Sequence, residues 1–392
     1  MSGNRCLRNS FFSGLKKMLI TCILFFLYCG CGHQDPVNKS EINGEIVDDT
    51  SLMTTEVVTS PFDTVIQNKL KKLINSGDFS GSVIITAKDG RQFKYSTGYA
   101  DYEKKIINSD SVFFQAASLT KIFTALAIYN LEQTGKLKFN DPFAKHLNSK
   151  LPYNDISIRN LLDHTAGIPD YIEIVGKFWK GKAGPDNEQI FQLYRDNKIV
   201  AKTAPGKYFS YSNINYIILS SIVENISGKS FEGYLRDPGS GKVKNANVFG
   251  QSELGNTPGK IATPYLSTGK KYAKVPSGLI LPFEKRKGSG GLWITPNEFD
   301  QWLGEMFFKI DFYLKVLNDK TLLSKVGSSN YVLGWYKVKK KDLEYIYSYG
   351  KNPGMNSFCA YLPGKEITIT LFSNTEIDSK AKGEQFVSIL LQ

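Results

Sequence analysis

The run from Ser118 to Leu131 constrains this chain more than any other stretch. Leu119, Ile122, Phe123, Ala125, Leu126, Ala127, Ile128, Tyr129 and Leu131 leave it almost no polar face. A helix that is apolar all round must be enclosed by other elements. The chain therefore has to build layers around it. At its head stands Ser118-Leu119-Thr120-Lys121. Residues three apart share a helix face, so the serine and lysine are neighbours there. An apolar pocket disfavours a lysine's charged form, so its pKa falls and the neutral amine can take a serine's proton. Ser-x-x-Lys starts at Ser13, Ser118, Ser267, Ser348 and Ser379, and only the second heads a long apolar helix. Taken alone, the tetrapeptide leaves open the commoner role of a serine before a helix, an N-cap.

The flanking sequence predicts what surrounds that helix. Phe62–Ile74 has helical spacing. Ser82–Thr86 and Gln92–Ser96 read as a hairpin around Lys88-Asp89-Gly90-Arg91. Ile156–Leu162, Tyr216–Val223 and Gly383–Leu391 read as helices. Tyr331–Val338, Leu343–Tyr349, Asn356–Leu362 and Ile367–Phe372 read as an antiparallel meander. Residues 236–290, rich in Gly, Pro and Lys, read as mostly loop. The expected class is α+β: an antiparallel sheet flanked by helices, built from the N- and C-terminal parts, with a mostly helical lobe inserted. The sheet lobe would take residues 61–115 and 285–392, and the helical lobe residues 116–284.

The N-terminus carries different information. Arg5, Arg8, Lys16 and Lys17 precede the apolar run Met18–Tyr28, too short for a membrane span and suited to an export signal. The run ends in Cys29-Gly30-Cys31-Gly32, which resembles a bacterial lipoprotein cleavage site with Cys31 as the lipidated residue. Residues 1–31 thus read as a signal segment and 32–60 as a flexible polar tether. The protein is then expected in a bacterial cell envelope, lipid-anchored and facing the periplasm or exterior. With residues 1–31 set aside, the net charge falls from +12 to +8. The excess is dispersed apart from Lys285-Arg286-Lys287 and Lys339-Lys340-Lys341, which read as solvated turns. No nucleic-acid motif accompanies them. Four of the five cysteines lie in the signal segment, and Cys359 reads as a small core residue. No metal or cofactor site is expected, because the body offers only His146 and His164 and no phosphate-binding loop. His164 reads as a structural hydrogen-bonder.

Tyr211-Ser212-Asn213 is the single Tyr-x-Asn of the chain and precedes an apolar helix. A tyrosine beside a lysine ammonium would have a depressed pKa and could relay a proton. An asparagine can hold a substrate amide and the lysine together. With both motifs in order, the chain resembles the serine β-lactamase-like superfamily, in the branch of class C β-lactamases, D-alanyl-D-alanine carboxypeptidases and esterases. Leu161–Tyr171, Ala204-Pro205-Gly206, Gly288–Leu292, Thr295-Pro296 and Pro353–Ser357 are similar to further segments of that family, so the resemblance covers residues 62–391. It implies Ser118 as nucleophile, Lys121 and Tyr211 as proton carriers, and Asn213 on the substrate. The family's third motif, Lys-Thr-Gly or His-x-Gly, is absent. Its place falls on Ser348-Tyr349-Gly350, with Lys351 next, so the expected oxyanion donors are the backbone N–H groups of Ser118 and Lys351. Ser348, Gly350 and Lys351 are the expected substrate-binding residues. The implied function is an exported acyl-enzyme hydrolase of D-Ala-type peptides, β-lactams or small esters, acting as a monomer without nucleic-acid partners. The alternative is a penicillin-binding-like protein that holds cell-wall peptides without turnover.

Overall fold

The structure is a computed structural model that describes residues 46–48, 54–57, 62–238, 248–256, 260–267, 271–309, 317–318, 324–326, 329–340 and 343–392. The signal segment and Cys31 lie outside the described residues. A nine-stranded antiparallel sheet is the backbone of the molecule. Its strands are β1 (Thr54–Val57), β2 (Gly81–Ala87), β3 (Gln92–Thr97), β4 (Ser324–Val326), β5 (Ser329–Val332), β6 (Trp335–Lys340), β7 (Leu343–Asn352), β8 (Met355–Leu362) and β9 (Ile367–Ser373). The order across the sheet is β4-β5-β6-β7-β8-β9-β2-β3-β1. The N-terminal hairpin therefore joins the C-terminal meander through β9 and β2, with Ile369 opposite Ile85.

Central strands are buried on both faces, which is why β8 shows no polar alternation. Successive side chains point to opposite sides. Met355, Cys359 and Tyr361 enter the large core under the helical lobe. Phe358, Ala360 and Leu362 enter a second core beneath the outer helices α1 (Thr64–Ile74) and α5 (Ser379–Leu391). Cys359 is fully buried, as its apolar surroundings in the sequence imply.

The helical lobe forms around α2 (Thr120–Gln133) and α3 (Asn213–Ser227), which pack together. Every residue of α2 from Thr120 to Leu131 is buried, so its apolar circumference is fully used. Shorter helices at Ile158–Leu162, Tyr171–Phe178 and Asn187–Asp196 pack against α3. Ser157, Asp170 and Asp186 accept backbone N–H bonds at the starts of these three helices. α4 (Pro296–Gly304), begun by Thr295 and Pro296, lies between this core and strands β9 and β2.

Three expectations need correction. The run Tyr331–Val338 is not one strand: the turn Leu333-Gly334 parts it between β5 and β6, which pair antiparallel. The stretch 32–60 is not all tether: β1 pairs with β3, and Ile46–Asp48 pairs with Lys271–Lys274. β3 would otherwise be a bare sheet edge, and the short β-branched run Thr54-Thr55 closes it. The stretch 236–290 is not mostly loop where it is described. It holds a 3-10 segment at Gln251–Asn256, the strand pair Tyr265–Ser267 and Lys271–Lys274, and a short helix at Ser277–Ile280. These elements are too short for periodicity to reveal.

Candidate active site

Ser118 sits where β structure gives way to α2, within the 3-10 turn Ala117–Leu119. Ala117 takes φ +47°, the left-handed region that costs a Cβ-bearing residue about 1–2 kcal/mol. Strain of this kind persists where surrounding contacts hold it. Here Ser357 Oγ donates to Ala116 O at 2.8 Å, and Ala116 N to Leu292 O at 2.8 Å. Ser118 is consequently no N-cap: the α2 N-terminus is Leu119, with no side-chain cap.

Lys121 is 1% exposed, and its Nζ lies 3.1 Å from Ser118 Oγ, 2.8 Å from Asn213 Oδ1 and 2.7 Å from Ser289 O. Burial, then the Arg286 charge, hold its pKa well below the usual lysine value, against a smaller opposing pull from Asp170. A neutral amine has two N–H bonds and one lone pair. Asn213 and Ser289 accept the two hydrogens, which leaves the lone pair for the Ser118 proton. The Asn213 amide is held in the orientation this needs, since its Nδ2 and its backbone N both donate to Asp170 Oδ2, at 2.8 and 2.6 Å. Asp170 therefore positions Asn213. As the N-cap of the helix Tyr171–Phe178 it does so from a fixed element.

Tyr211 OH donates to Ser118 Oγ at 3.0 Å. Tyr211 is 36% exposed, and desolvation raises its pKa; the hydrogen bond to Ser118 opposes that only in part. This corrects the expected direction. The neighbouring lysine is itself held toward the neutral form, so it does not stabilise a phenolate. Tyr211 is a phenol that donates to Ser118, and the Lys121 amine stands on the same oxygen.

His164 is fully buried at φ +59°. Its Nδ1 accepts from Ser212 N at 3.2 Å, which places the proton on Nε2, 3.2 Å from Tyr331 OH. Burial lowers its pKa far below the ordinary histidine value. The ring packs 4.4 Å from that of Tyr211. The imidazole thus fixes the Tyr211–Ser212 loop as an uncharged support.

The opposite wall is β7. Its pairing with β6 reaches only Tyr347, so Ser348–Asn352 turns its other edge to the Ser118 turn. A Cβ on Gly350 would stand 2.7 Å from Ser118 N and 2.7 Å from Ala116 O. Only glycine permits that approach, and it sets the Lys351 backbone beside the nucleophile's. Ser348 is 3% exposed, and its hydroxyl donates to Gly334 O at 2.8 Å. Lys351 Nζ pairs with Glu376 at 3.3 Å. Ser118, Lys121, Tyr211 and Asn213 are therefore brought together, with Gly350 against them. Ser348 faces the β5–β6 turn, and Lys351 brings its backbone to the site while its ammonium meets a carboxylate.

Sequence reading missed Asp170 and Ser289 as working parts. Asp170 carried a weak signal, standing ahead of a helix. It also misread Arg286. This residue is 3% exposed and donates from Nη2 to Asn352 Oδ1 at 3.0 Å, while Lys287 pairs with Glu224 and Glu232. The run Lys285-Arg286-Lys287 is not a solvated turn; only Lys285 is exposed. The basic triplet looked uniform because periodicity is lost in irregular backbone.

Among the described residues no cluster of His, Cys, Asp or Glu could hold a metal ion. The family model described as Beta-lactamase matches residues 62–392. The chain belongs to this family. Protein flp of Staphylococcus aureus strain MW2 is 27% identical over 331 residues, covering 80% of this chain and 62% of that protein. The chain thus spans under two thirds of that relative's length. A penicillin-binding protein from Bacillus halodurans superposes with TM-score 0.67 at 21% identity, covering 84% of this chain and all of the other. The D-amino acid amidase of Ochrobactrum anthropi superposes with TM-score 0.69 at 16% identity over 84% of this chain and 99% of its own. Both share the fold, an antiparallel sheet with helices. The Beta-lactamase family is of serine hydrolase type.

Proposed function

We propose that this protein is an exported serine hydrolase that works through an acyl-enzyme on an amide or ester. The observation that carries the reading is the placement of Ser118 Oγ, 3.1 Å from the buried Lys121 amine and 3.0 Å from a phenol. Lys121 Nζ takes the Ser118 proton as Oγ attacks the carbonyl. The oxyanion rests on the N–H groups of Ser118 and Lys351, which burial makes stronger than they would be in water. The proton passes by way of Tyr211 to the leaving group. Water, activated by the same pair, then releases the acyl group.

Candidate substrates are D-Ala-type peptides, β-lactams and small esters. Attachment to a bacterial envelope membrane through Cys31 follows from the residues of the signal segment and is proposed with it. Labelling with a fluorescent penicillin and a fluorophosphonate tests the reading. Wild type takes at least one probe and Ser118→Ala takes neither. If wild type takes neither probe and cleaves no ester, the hydrolase reading fails.

One observation favours a second reading, a binder of cell-wall peptides without turnover: Ser348, where related enzymes carry a cation or imidazole, is turned inward onto Gly334 O. A muropeptide bound with no acyl adduct by mass spectrometry would select it.

A further inference from the structure

One patch of the surface, apart from the catalytic groups, combines large apolar side chains with lysines. The helix Ser277–Ile280 buries none of its residues. Leu279, Ile280 and Leu281 are half-buried, yet they join none of the apolar cores of the described residues. The turn Leu281–Phe283 packs against the helix Tyr171–Phe178, and Tyr171 OH donates 3.1 Å to Pro282 O. That helix runs out into Lys177-Phe178-Trp179-Lys180-Gly181-Lys182. Phe178 and Trp179 are half-buried, and the other three tryptophans of the chain are buried. The Trp179 indole donates 2.9 Å to Ala183 O, and Gly184 N donates 3.0 Å to Glu284 Oε2. The tryptophan loop is thus held beside the apolar segment.

Lys177, Lys180, Lys182 and Lys285 are exposed around it. The nearby carboxylates are engaged elsewhere: Glu173 with Lys202, Glu188 with Arg195, and Glu284 with Gly184 N. Contiguous exposed apolar side chains mark a docking surface. The mixture here suits an anionic bilayer. An indole prefers the headgroup level, aliphatic side chains enter the acyl boundary, and ammonium groups meet lipid phosphates.

The path of the chain points to the same occupant. The strand Ile46–Asp48 pairs with Lys271–Lys274, Val47 opposite Tyr272, and that second strand leads through Val275 and Pro276 into Ser277–Ile280. Fourteen residues separate Cys31 from Ile46, at most about 50 Å of extended chain. An anchor at Cys31 therefore keeps the edge beside the patch near its membrane. We propose that the face formed by Trp179 and Leu279–Leu281 with Lys177, Lys180, Lys182 and Lys285 docks on an anionic phospholipid bilayer. Asp170, which positions Asn213, caps the helix that ends at Phe178, about 12 Å away at 1.5 Å per residue. Docking thus holds the active site close to the membrane surface. The anchor's part in this rests on the envelope reading; the docking face does not.

The test uses the full chain in vesicles of phosphatidylglycerol and phosphatidylcholine, the latter brominated on its acyl chains near the headgroup. Bromine quenches an indole only at close range, and Trp293, Trp302 and Trp335 are buried, so the quenching reports Trp179. Wild type is expected to lose at least a fifth of its emission and Trp179→Phe almost none. The double variant Lys180→Glu, Lys182→Glu should halve the quenching or better. Thermal melts confirm that the variants fold. An unquenched wild type overturns the proposal, as does equal quenching in Trp179→Phe. A wild-type dimer by sedimentation velocity, without quenching, gives the face to a second copy and overturns it too. Mass spectrometry of the mature N-terminus judges the anchor separately. If Cys31 carries no lipid, the anchor reading fails, and cosedimentation with the same vesicles then judges the face alone. Binding reduced at least fivefold in the double variant supports it; binding unchanged there, or absent from wild type, overturns it.

Discussion

The two walls of the site differ in what they contribute. The helical wall supplies side chains: Lys121, Tyr211 and Asn213, each held by a partner in Ser289, His164 or Asp170. The sheet wall supplies backbone: Gly350 presses on Ser118 N, while the side chains of Ser348 and Lys351 are engaged with Gly334 O and Glu376. The contrast teaches which changes the site can absorb. A wall that works through backbone geometry tolerates side-chain replacement as long as the strand does not move. A wall that works through proton transfer does not.

The strongest way to break the comparison is on the helical wall. Lys121→Met removes the proposed base, and kcat/KM on an ester is expected to fall about 10⁴–10⁶-fold, as when a member of a catalytic unit is lost. In wild type the acid limb of kcat/KM reports the Lys121 amine, and lies well below the 10.5 of an ordinary lysine. The same substitution should stabilise the fold. A lysine whose folded pKa is depressed leaves the unfolded chain binding the extra proton. Wild-type stability therefore rises with pH between the folded value and 10.5. The gain from Lys121→Met is greatest below the folded value and fades as pH approaches 10.5. Melting curves across pH check this, and a destabilised Lys121→Met at acid pH would contradict it.

On the sheet wall the sensitive position is the glycine. Gly350→Ala places a methyl 2.5 Å from Ser357 Oγ and 2.7 Å from two backbone atoms, Ala116 O and Ser118 N. The backbone cannot rotate away, so β7 must shift from the nucleophile. The expected result is a loss of about 10²-fold or more in kcat, near that of an oxyanion donor, and about 1–3 kcal/mol of stability from overpacking. Full activity in Gly350→Ala would show that the β7 backbone takes no part. Tyr211→Phe sharpens the other wall with a smaller effect. It keeps the ring against His164 and removes the donor to Ser118, and about 10–10²-fold in kcat should be lost.

How much of this was legible in the sequence follows the same division. Ser118, Lys121, Tyr211 and Asn213 stood out because their elements are long and apolar. Helix α2 and helix α3 bury nearly every residue after the motif, and periodicity reports such elements well. The joining of the two β portions was equally readable from the strand runs. Asp170, Ser289 and Arg286 were not. Asp170 reaches Asn213 from 43 positions away in the chain, and Ser289 meets Lys121 across 168. Such pairings leave no local pattern. The pKa of Tyr211 was misjudged for a related reason. Its direction depends on how little water reaches the hydroxyl and on the charge state of Lys121, and both are properties of the folded site.

Ser348 gives the smallest effect and the finest test. The turn Leu333-Gly334 has φ +46° and +89°, as a two-residue hairpin turn with both central residues left-handed requires. A Cβ on Gly334 would stand 2.9 Å from Ile122 Cα, so this turn lies against α2 immediately after Lys121. The Ser348 hydroxyl ties the turn to β7 through Gly334 O. Ser348→Ala leaves that buried carbonyl short of a partner, at a cost of about 1–2 kcal/mol. If the sheet wall works through backbone, the variant melts lower while kcat/KM stays within about threefold of wild type, since a hydroxyl aimed away from the nucleophile contributes no proton transfer. A loss of tenfold or more in KM alone, with stability unchanged, would instead give Ser348 a direct place on the substrate. Chemical denaturation and ester kinetics on the same preparation separate the two outcomes.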